Sequence, residues 1–430
     1  MFLITASSLP TLALAWWMFA MSIIISGVIA SEKRRSIQRG QTITADASHD
    51  LPKVSILRPL KGLDCNIESN LLSSFRQDYP VTHFELIFCV ADETDPVIPV
   101  VKSLIARHPD HNSRLVIGDV NIGVNPKINN LIRGYESASN DIVWIIDSNI
   151  WVAPGTLSRS VRALMAPGIG LVHHLPVGVQ PTSLGSELEM LFLNSVHARA
   201  YLAINQLGPS SCVIGKSTLF RRSDLQICGG LQAFGKYMAE DNMIGQAIWD
   251  LGLRHVMTAD RAWQPLGSMS AMDFFNRRQR WGRIRKFIVR AATLAEPLSE
   301  CVLLSALFAY GVQNIPGQCI LYFAHAFAWM LMDYWVSLNV THASHLSLPR
   351  FARAWIIREL SCLPTYLWAM SGSTVSWRNF HYQLQPGGTV QLSSLPCDQS
   401  WKQLTASSKG PNPSSKSLYS SWRYLKQPSS

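Results

Sequence analysis

The sequence predicts an α/β protein, a mostly parallel sheet covered by helices and carried between apolar segments suited to a membrane. Three observations predict it. Short apolar runs alternate with helical stretches between residues 53 and 146. A charge-free apolar run fills residues 10–30, and apolar composition returns after residue 290. Over 430 residues only 15% are charged and 47% are hydrophobic, which is apolar for a soluble enzyme of this length.

Residues 10–30 read PTLALAWWMFAMSIIISGVIA. About 20 apolar residues cross a bilayer core. Lys33, Arg34 and Arg35 follow at once, and positive flanks stay cytosolic, so the chain is expected to enter the cytosol here. A cleaved signal peptide carries its basic residues before the apolar run, so this order favours an anchor over residues 1–35. A polar linker follows at 36–51. The runs VSIL (54–57), FELIFCV (84–90), LVI (115–117) and IVWII (142–146) are expected strands. Residues 67–76, 97–108 and 127–137 are expected helices between them. A catalytic-type domain is expected over 52–295. Membrane candidates follow at 302–312, 315–336 and 354–370. The first is short and the last carries Arg358 and Glu359, so spanning and interfacial placement both stay open for them. Residues 296–375 are thus assigned to C-terminal membrane helices and 376–405 to a tail. Residues 406–430, rich in Ser, Pro and Lys, are expected to be disordered. No internal repeat is present.

The net charge is +10. Beside membrane segments, a basic excess suits lipid headgroups and a diphosphate substrate better than nucleic acid. No zinc-finger spacing and no RNA-binding aromatic motif is found. The 8 cysteines form no CxxC pair, which argues against a zinc or dithiol site and suits a reducing compartment. His173-His174 lacks a third ligand at metal spacing. Asn339-Val340-Thr341 is a glycosylation sequon.

In a parallel sheet, ligands gather at the carboxyl ends of strands. Asp92 follows one expected strand and Asp147 another, while Asp241 opens an expected helix in AEDNMIG. Carboxylates at such places can bind a nucleotide, hold Mg2+ or Mn2+ on a diphosphate, or take a proton from an attacking hydroxyl. Each also has a plain structural reading, as a turn residue or a helix N-terminal acid. Arg277-Arg278-Gln279-Arg280-Trp281 offers guanidinium groups for phosphate oxygens and an indole wall, or else a basic helix on lipid headgroups. Asn125 and Lys127, in GVNPKINN, stand near a helix N-terminus where base or phosphate could bind; an ordinary capped turn is the other reading. Arg58 and Lys61, in RPLKG, carry the same two readings. His197, in SVHARAY, is a lone histidine with either an acceptor-side or a structural place.

These motifs resemble the ceramide glucosyltransferases, the fungal ones in particular. The resemblance runs from RPLKGLD through VADETDP, GVNPKINNLIRGYE, IVWIIDSNIWV, GLVHHLP, SVHARAY, SCVIGKS, AEDNMIGQAIW and RRQRW to WRNFHYQLQPGGT, covering residues 52–390. It implies a GT-A (Rossmann-like) catalytic domain and inverting transfer of glucose from UDP-glucose to the primary hydroxyl of ceramide. A Golgi or related endomembrane is implied, with the catalytic domain facing the cytosol. It places Asp92 on the nucleotide and Asp147 at a metal and diphosphate; Lys127, Asn125, Arg58 and Lys61 stay as nucleotide-contact candidates on their positions alone. Asp241 becomes the base, Arg277, Arg280 and Trp281 the leaving-group motif, and His197 an acceptor-side residue. Many relatives carry DxD where this chain has Asp147-Ser148-Asn149, so the expected divalent ion loses one carboxylate. Transfer to another lipid, transfer of another sugar, and processive polysaccharide synthesis remain as alternatives.

Overall fold

The computed structural model describes residues 8–40, 51–312, 317–341, 344–377 and 380–393. The expected disordered tail and Cys397 lie outside these residues.

The elements run α1 (Leu9–Gly40), β1 (Val54–Leu60), α2 (Ile67–Phe75), β2 (Phe84–Val90), α3 (Ile98–Arg107), β3 (Asn112–Ile117), α4 (Pro126–Ser137) and β4 (Ile142–Ile146). Next come α5 (Thr156–Leu164), β5 (Ile169–Pro181), α6 (Leu184–Phe192), α7 (Ala198–Leu207), β6 (Ser217–Arg221), α8 (Arg222–Ile227), α9 (Glu240–Asp250) and β7 (Arg254–Gly267). The remainder is α10 (Ala271–Ile288), α11 (Arg290–Ala295), α12 (Cys301–Gly311), α13 (Gln318–Thr341), α14 (Leu348–Met370), β8 (Thr374–Trp377), β9 (Phe380–Leu384) and β10 (Val390–Leu392).

Seven strands form one sheet in the order β3-β2-β1-β4-β6-β5-β7. All neighbours pair in parallel except β6, which runs against β4 and β5. β1, β2 and β4 are buried along their whole length, as the unbroken apolar runs require of central strands covered on both faces. One face packs Leu71, Phe75, Val101, Leu104 and Leu157 over Ile56, Phe88 and Trp144. The other packs Ile128, Leu131, Ile244 and Ile248 over Leu57, Ile87 and Val143. Each fully buried Leu or Ile contributes about 1.5–3 kcal/mol.

The membrane helices dock on the β5–β7 half. α1 and α13 are long and apolar enough to cross a bilayer, and a bent pair, Arg290–Ser299 with Cys301–Gly311, adds a third candidate across a 64° bend. α1 and α13 run parallel. Trp17 donates to His325 at 3.0 Å near one end, and Asn339 donates to Ser31 at 3.0 Å near the other. The sequon asparagine is therefore 1% exposed and hydrogen-bonded, which closes it to glycosylation in this fold. α1 continues past the basic cluster to Gly40, and Arg34 donates to the carbonyls of Met257 and Thr258 on β7. Gly27 sits so close to α7 that a Cβ would lie 2.3 Å from the Arg199 carbonyl oxygen. α14 buries Arg358 and Glu359 and does not count among the candidate spans.

The described residues of the tail are structured. β8, β9 and β10 form a small antiparallel sheet. Its Val375, Tyr382, Leu384 and Val390 pack on Met238 and on Ile284 of α10. The seven described cysteines form no disulfide.

Candidate active site

The carboxyl ends of β1, β2 and β4 open on one edge of the sheet. Asp147, just past β4, accepts from Lys127 at 2.8 Å through one oxygen and from Lys216 at 3.0 Å through the other. Lys127 is placed by α4, whose N-cap is Asn125. It also reaches Glu240 at 3.1 Å and the Gly215 carbonyl at 3.2 Å. The Gly215 amide in turn donates to Asp241 at 2.5 Å. One lysine thus ties together Asp147, Glu240 and the strip that holds Asp241. Gly215 is required by space, since a Cβ there would lie 2.5 Å from the Asp241 carboxylate.

The charges follow from this geometry. Burial would raise the Asp147 carboxyl, but Lys127 and Lys216 outweigh it and hold it at about 2. Burial works against the Lys127 ammonium as well, yet Asp147 and Glu240 keep it protonated well beyond an ordinary lysine. Asp241 goes the other way. Burial first and Glu240 second push it up to about 6, against the pull of Lys127. Neighbouring carboxylates with such different affinities for protons are suited to different tasks.

Asp92 stands on the same sheet edge, exposed, past β2. β1 separates β2 from β4, so the strand ends leading to Asp92 and Asp147 lie about 10 Å apart. Asp92 accepts from the Thr94 amide at 2.8 Å and hydroxyl at 2.7 Å. Those bonds, helped by Lys61, hold it below the usual carboxylate range. Lys61 is exposed on the turn after β1.

Two expected contact residues face inward instead. Arg58 is fully buried and donates to the Ile150 carbonyl at 3.0 Å. β1 is a central strand, and its last residues point beneath the loop that carries Asp147. Asn125 is also fully buried; its amide donates to Tyr237 O at 2.7 Å and to Glu240 at 2.8 Å. It clamps α4 to the start of α9, so it acts on the site through Glu240.

A second wall comes from the membrane side. α10 carries Arg277 and Arg278 onto Glu189 of α6 at 2.9 and 3.1 Å. Glu189 is 1% exposed. Burial would raise its carboxyl, but Arg278, Arg277 and, more distantly, Lys216 keep it low, which shows this wall adjoining the first. The Arg278 guanidinium lies 3.8 Å from the Phe192 ring centroid and 4.2 Å from that of Trp281. Arg280 has no ion partner among the described residues, and burial lowers it to about 10. His197 ends a π-helical turn, Leu193–His197, between α6 and α7. Such turns recur at functional sites. Its ring stacks near Tyr201 at 4.3 Å and Trp281 at 5.7 Å. It is buried, yet neither ring nitrogen has a hydrogen-bond partner. Burial brings it down to about 3, so it is neutral and keeps one donor and one acceptor free.

Sequence reasoning missed Lys216, Glu240 and Glu189, and gave Arg278 no place apart from its neighbours. Lys216, Glu240 and Arg278 lie inside quoted motifs, but nothing in spacing separates them from their neighbours. Glu189 meets its arginines across about 88 residues of chain, a pairing only the fold creates.

Both Asp147 oxygens carry ammonium groups, Asn149 accepts from Lys216 at 3.3 Å, and the described residues hold no cluster of three or more His, Cys, Asp or Glu, so an ion at Asp147 would take its remaining ligands from a diphosphate and water.

The model of glycosyl transferase family 21 matches residues 14–390. The chain belongs to this family. A ceramide glucosyltransferase of Komagataella phaffii is 32% identical, covering 87% of this chain and 90% of its own. One from Gibberella zeae is 30% identical over 86% and 90%. Ceramide glucosyltransferase 1 of Caenorhabditis elegans is 31% identical over 80% and 74%. Among solved structures, a mannosyltransferase of Pyrobaculum calidifontis in complex with GDP-Man and Mn2+ is 19% identical with a TM-score of 0.44, over 84% of this chain and 95% of that one. Family membership and the observed sheet bear out the expected α/β fold, a mostly parallel sheet flanked by apolar helices. The chain is a glycosyltransferase, and among its described residues two helices are long and apolar enough to cross a membrane.

Proposed function

We propose that this glycosyltransferase moves glucose from UDP-glucose to the primary hydroxyl of ceramide in a single inverting displacement, giving β-glucosylceramide. The observation that carries this reading is the junction of two unlike walls. One is a lysine-and-carboxylate cluster at the strand ends, and the other is a cluster of Phe192, Tyr201 and Trp281 rings around His197. The names of the family 21 relatives add the acceptor.

The uridine diphosphate end lies along the strand edge between Asp92, with Lys61, and Lys127. Arg58 and Asn125 hold the loops beneath it. Asp241 removes the proton from the ceramide hydroxyl, whose oxygen bonds to the anomeric carbon from the face opposite the diphosphate. The bond from that carbon to the diphosphate oxygen breaks, and the electron pair leaves with UDP. Lys127, Lys216, Arg277 and Arg280 meet the charge that develops there. A divalent ion travelling with the donor is the other charge source the family resemblance implies; no step is assigned to it, because Asp147 already holds two ammonium groups. Neutral His197 hydrogen-bonds the polar head of the acceptor, and Trp281 walls its apolar part.

The catalytic domain faces the cytosol of a Golgi or related endomembrane. Arg34 and Arg35 support this side, since the basic end of α1 is the end that docks on the catalytic domain.

Membranes holding the full chain, given radiolabelled UDP-glucose and ceramide, test the proposal. Label in a chloroform-soluble glucoside that depends on added ceramide is the expected result. Label in an insoluble polymer, or transfer indifferent to ceramide, overturns it.

A further inference from the structure

The small sheet of β8, β9 and β10 sits where three strips of the site meet. Its buried Val375, Tyr382, Leu384 and Val390 close over Met238 and Ile284. Val124 and Ala239 pack against the same cluster. These docking points are close in sequence to groups placed in the chemistry. Val124 stands three residues before Lys127, Ala239 two before Asp241, and Ile284 three after Trp281. Residues three and four apart share a helix face, so Ile284 lies one turn along the stripe of α10 that carries Arg280 and Trp281.

Polar joints reinforce the apolar ones. The strip 235–238, which leads into Glu240 and Asp241, is held from two sides. From one side, the Asn125 backbone N–H donates to the Gly235 carbonyl at 2.9 Å and its side-chain amide to the Tyr237 carbonyl at 2.7 Å. From the other, the Val390 N–H donates to the Lys236 carbonyl at 3.1 Å, and Tyr237 bridges Thr389 in antiparallel fashion. The tail is fastened to α10 as well. Arg283 donates to the Thr374 carbonyl at 2.5 Å and Lys286 to the Gly372 carbonyl at 3.3 Å. A Cβ on Gly388 would lie 2.7 Å from the Ile288 side chain.

We infer that the tail sheet is a clamp that positions Asp241 and Lys127 against the Arg277–Trp281 stripe, with Val390 and Met238 as its positioning residues. This rests on the proposed roles of those groups. The clamp touches no reacting atom. A displacement needs its base, its cations and its leaving-group arginines in register, and a shift of about 1 Å in one of them can cost about 10²-fold. One body docked on all three strips keeps them from drifting apart.

Three measurements on the full chain in lipid nanodiscs test it. In the first, Val390→Pro removes the amide that reaches Lys236. The bond from the Gln385 N–H to the Thr389 carbonyl is untouched, and Thr389 (φ −71°, ψ 156°) already has the extended backbone that a residue before proline adopts. kcat is expected to fall about tenfold, with both KM values, the melting temperature and the stoichiometry of UDP binding unchanged. Met238→Ala should behave alike, Met238→Leu should restore kcat, and Gln391→Lys on the exposed edge should leave it unaltered. Wild-type kcat in Val390→Pro and Met238→Ala, or a loss matched by lost UDP sites, overturns the inference.

In the second, Tyr237→Cys and Thr389→Cys are added to Val390→Pro. The bond from Val390 to Lys236 flanks this pair, which makes it a non-hydrogen-bonded one with its Cα atoms about 4.5 Å apart, within reach of a disulfide. Diamide should return most of kcat and dithiothreitol should remove it again. A disulfide that leaves kcat low, or one that does not form, overturns the clamp. In the third, hydrogen exchange of amides 236–241 is expected to be about tenfold faster in Val390→Pro, with β1, β2 and β4 unchanged. Equal exchange in both proteins overturns it. Wild-type protein that glucosylates no ceramide would defeat the proposed function alone, because exchange reports on the clamp without turnover.

Discussion

The two walls of the site solve opposite problems. At the strand ends, polar groups are dense and satisfied: Lys127 alone meets Asp147, Glu240 and the Gly215 carbonyl. In the second wall, aromatic rings crowd a buried histidine neither of whose ring nitrogens has a hydrogen-bond partner. A diphosphate brings its own charge, so its pocket must be held together by opposite charges before it arrives. A lipid head brings only hydroxyl and amide groups, so its wall can keep an unpaired polar group in waiting. Asp241 belongs to the first wall, where burial and the neighbouring Glu240 push its carboxyl up.

The largest effect should come from the base of the first wall. Asp241→Asn keeps the shape and one acceptor oxygen but cannot take a proton, so kcat is expected to fall about 10²–10⁴-fold with an unchanged melting temperature. Near-normal turnover would remove Asp241 from the mechanism. Next, Lys216→Met strips charge from the donor wall only. Steady-state kinetics should show kcat down about 10²-fold with acceptor KM unmoved; a change confined to acceptor KM would blur the division between walls. His197→Phe sharpens the other side. It keeps the stacking on Tyr201 and Trp281 and loses the ring nitrogens, so acceptor KM should rise about tenfold with donor KM constant.

The pH profile carries a smaller effect with a definite sign. Asp241 acts as its carboxylate, and its raised value of about 6 means that the active form is lost as pH falls through 6. kcat/KM should therefore be level above that point and drop about tenfold per unit below it. A limb near 4 would contradict the burial and Glu240 repulsion that raise it. Chelation should have the least effect, leaving most of the turnover, because Lys127 and Lys216 already supply positive charge at Asp147.

The first half of the sheet was legible because its strands are buried on both faces and appear as unbroken apolar runs. FELIFCV and IVWII map directly onto β2 and β4. The antiparallel β6 was not foreseen: STLFR is short, ends in arginine, and takes its direction from pairing between β4 and β5. The tail sheet was hidden for a similar reason, since β8 to β10 are stabilised by Met238 and Ile284 far away in sequence. Within the site, acids after strands could be found by position alone. Arg58 shows the limit of that logic, because adjacent residues at a strand end point to opposite sides, and its side chain went under the loop and not into the pocket. Lys216 and Glu189 owe their places to contacts across the fold, which no local pattern encodes.

The most direct measurement is the structure of the lipid product. Full-length protein in membranes would be given UDP-glucose labelled with carbon-13 at the anomeric position and a defined ceramide. Mass spectrometry and NMR of the extracted lipid should show one hexose on the primary hydroxyl with a β anomeric signal. An α-linked product, or label on any molecule other than ceramide, would contradict a single displacement between these two walls.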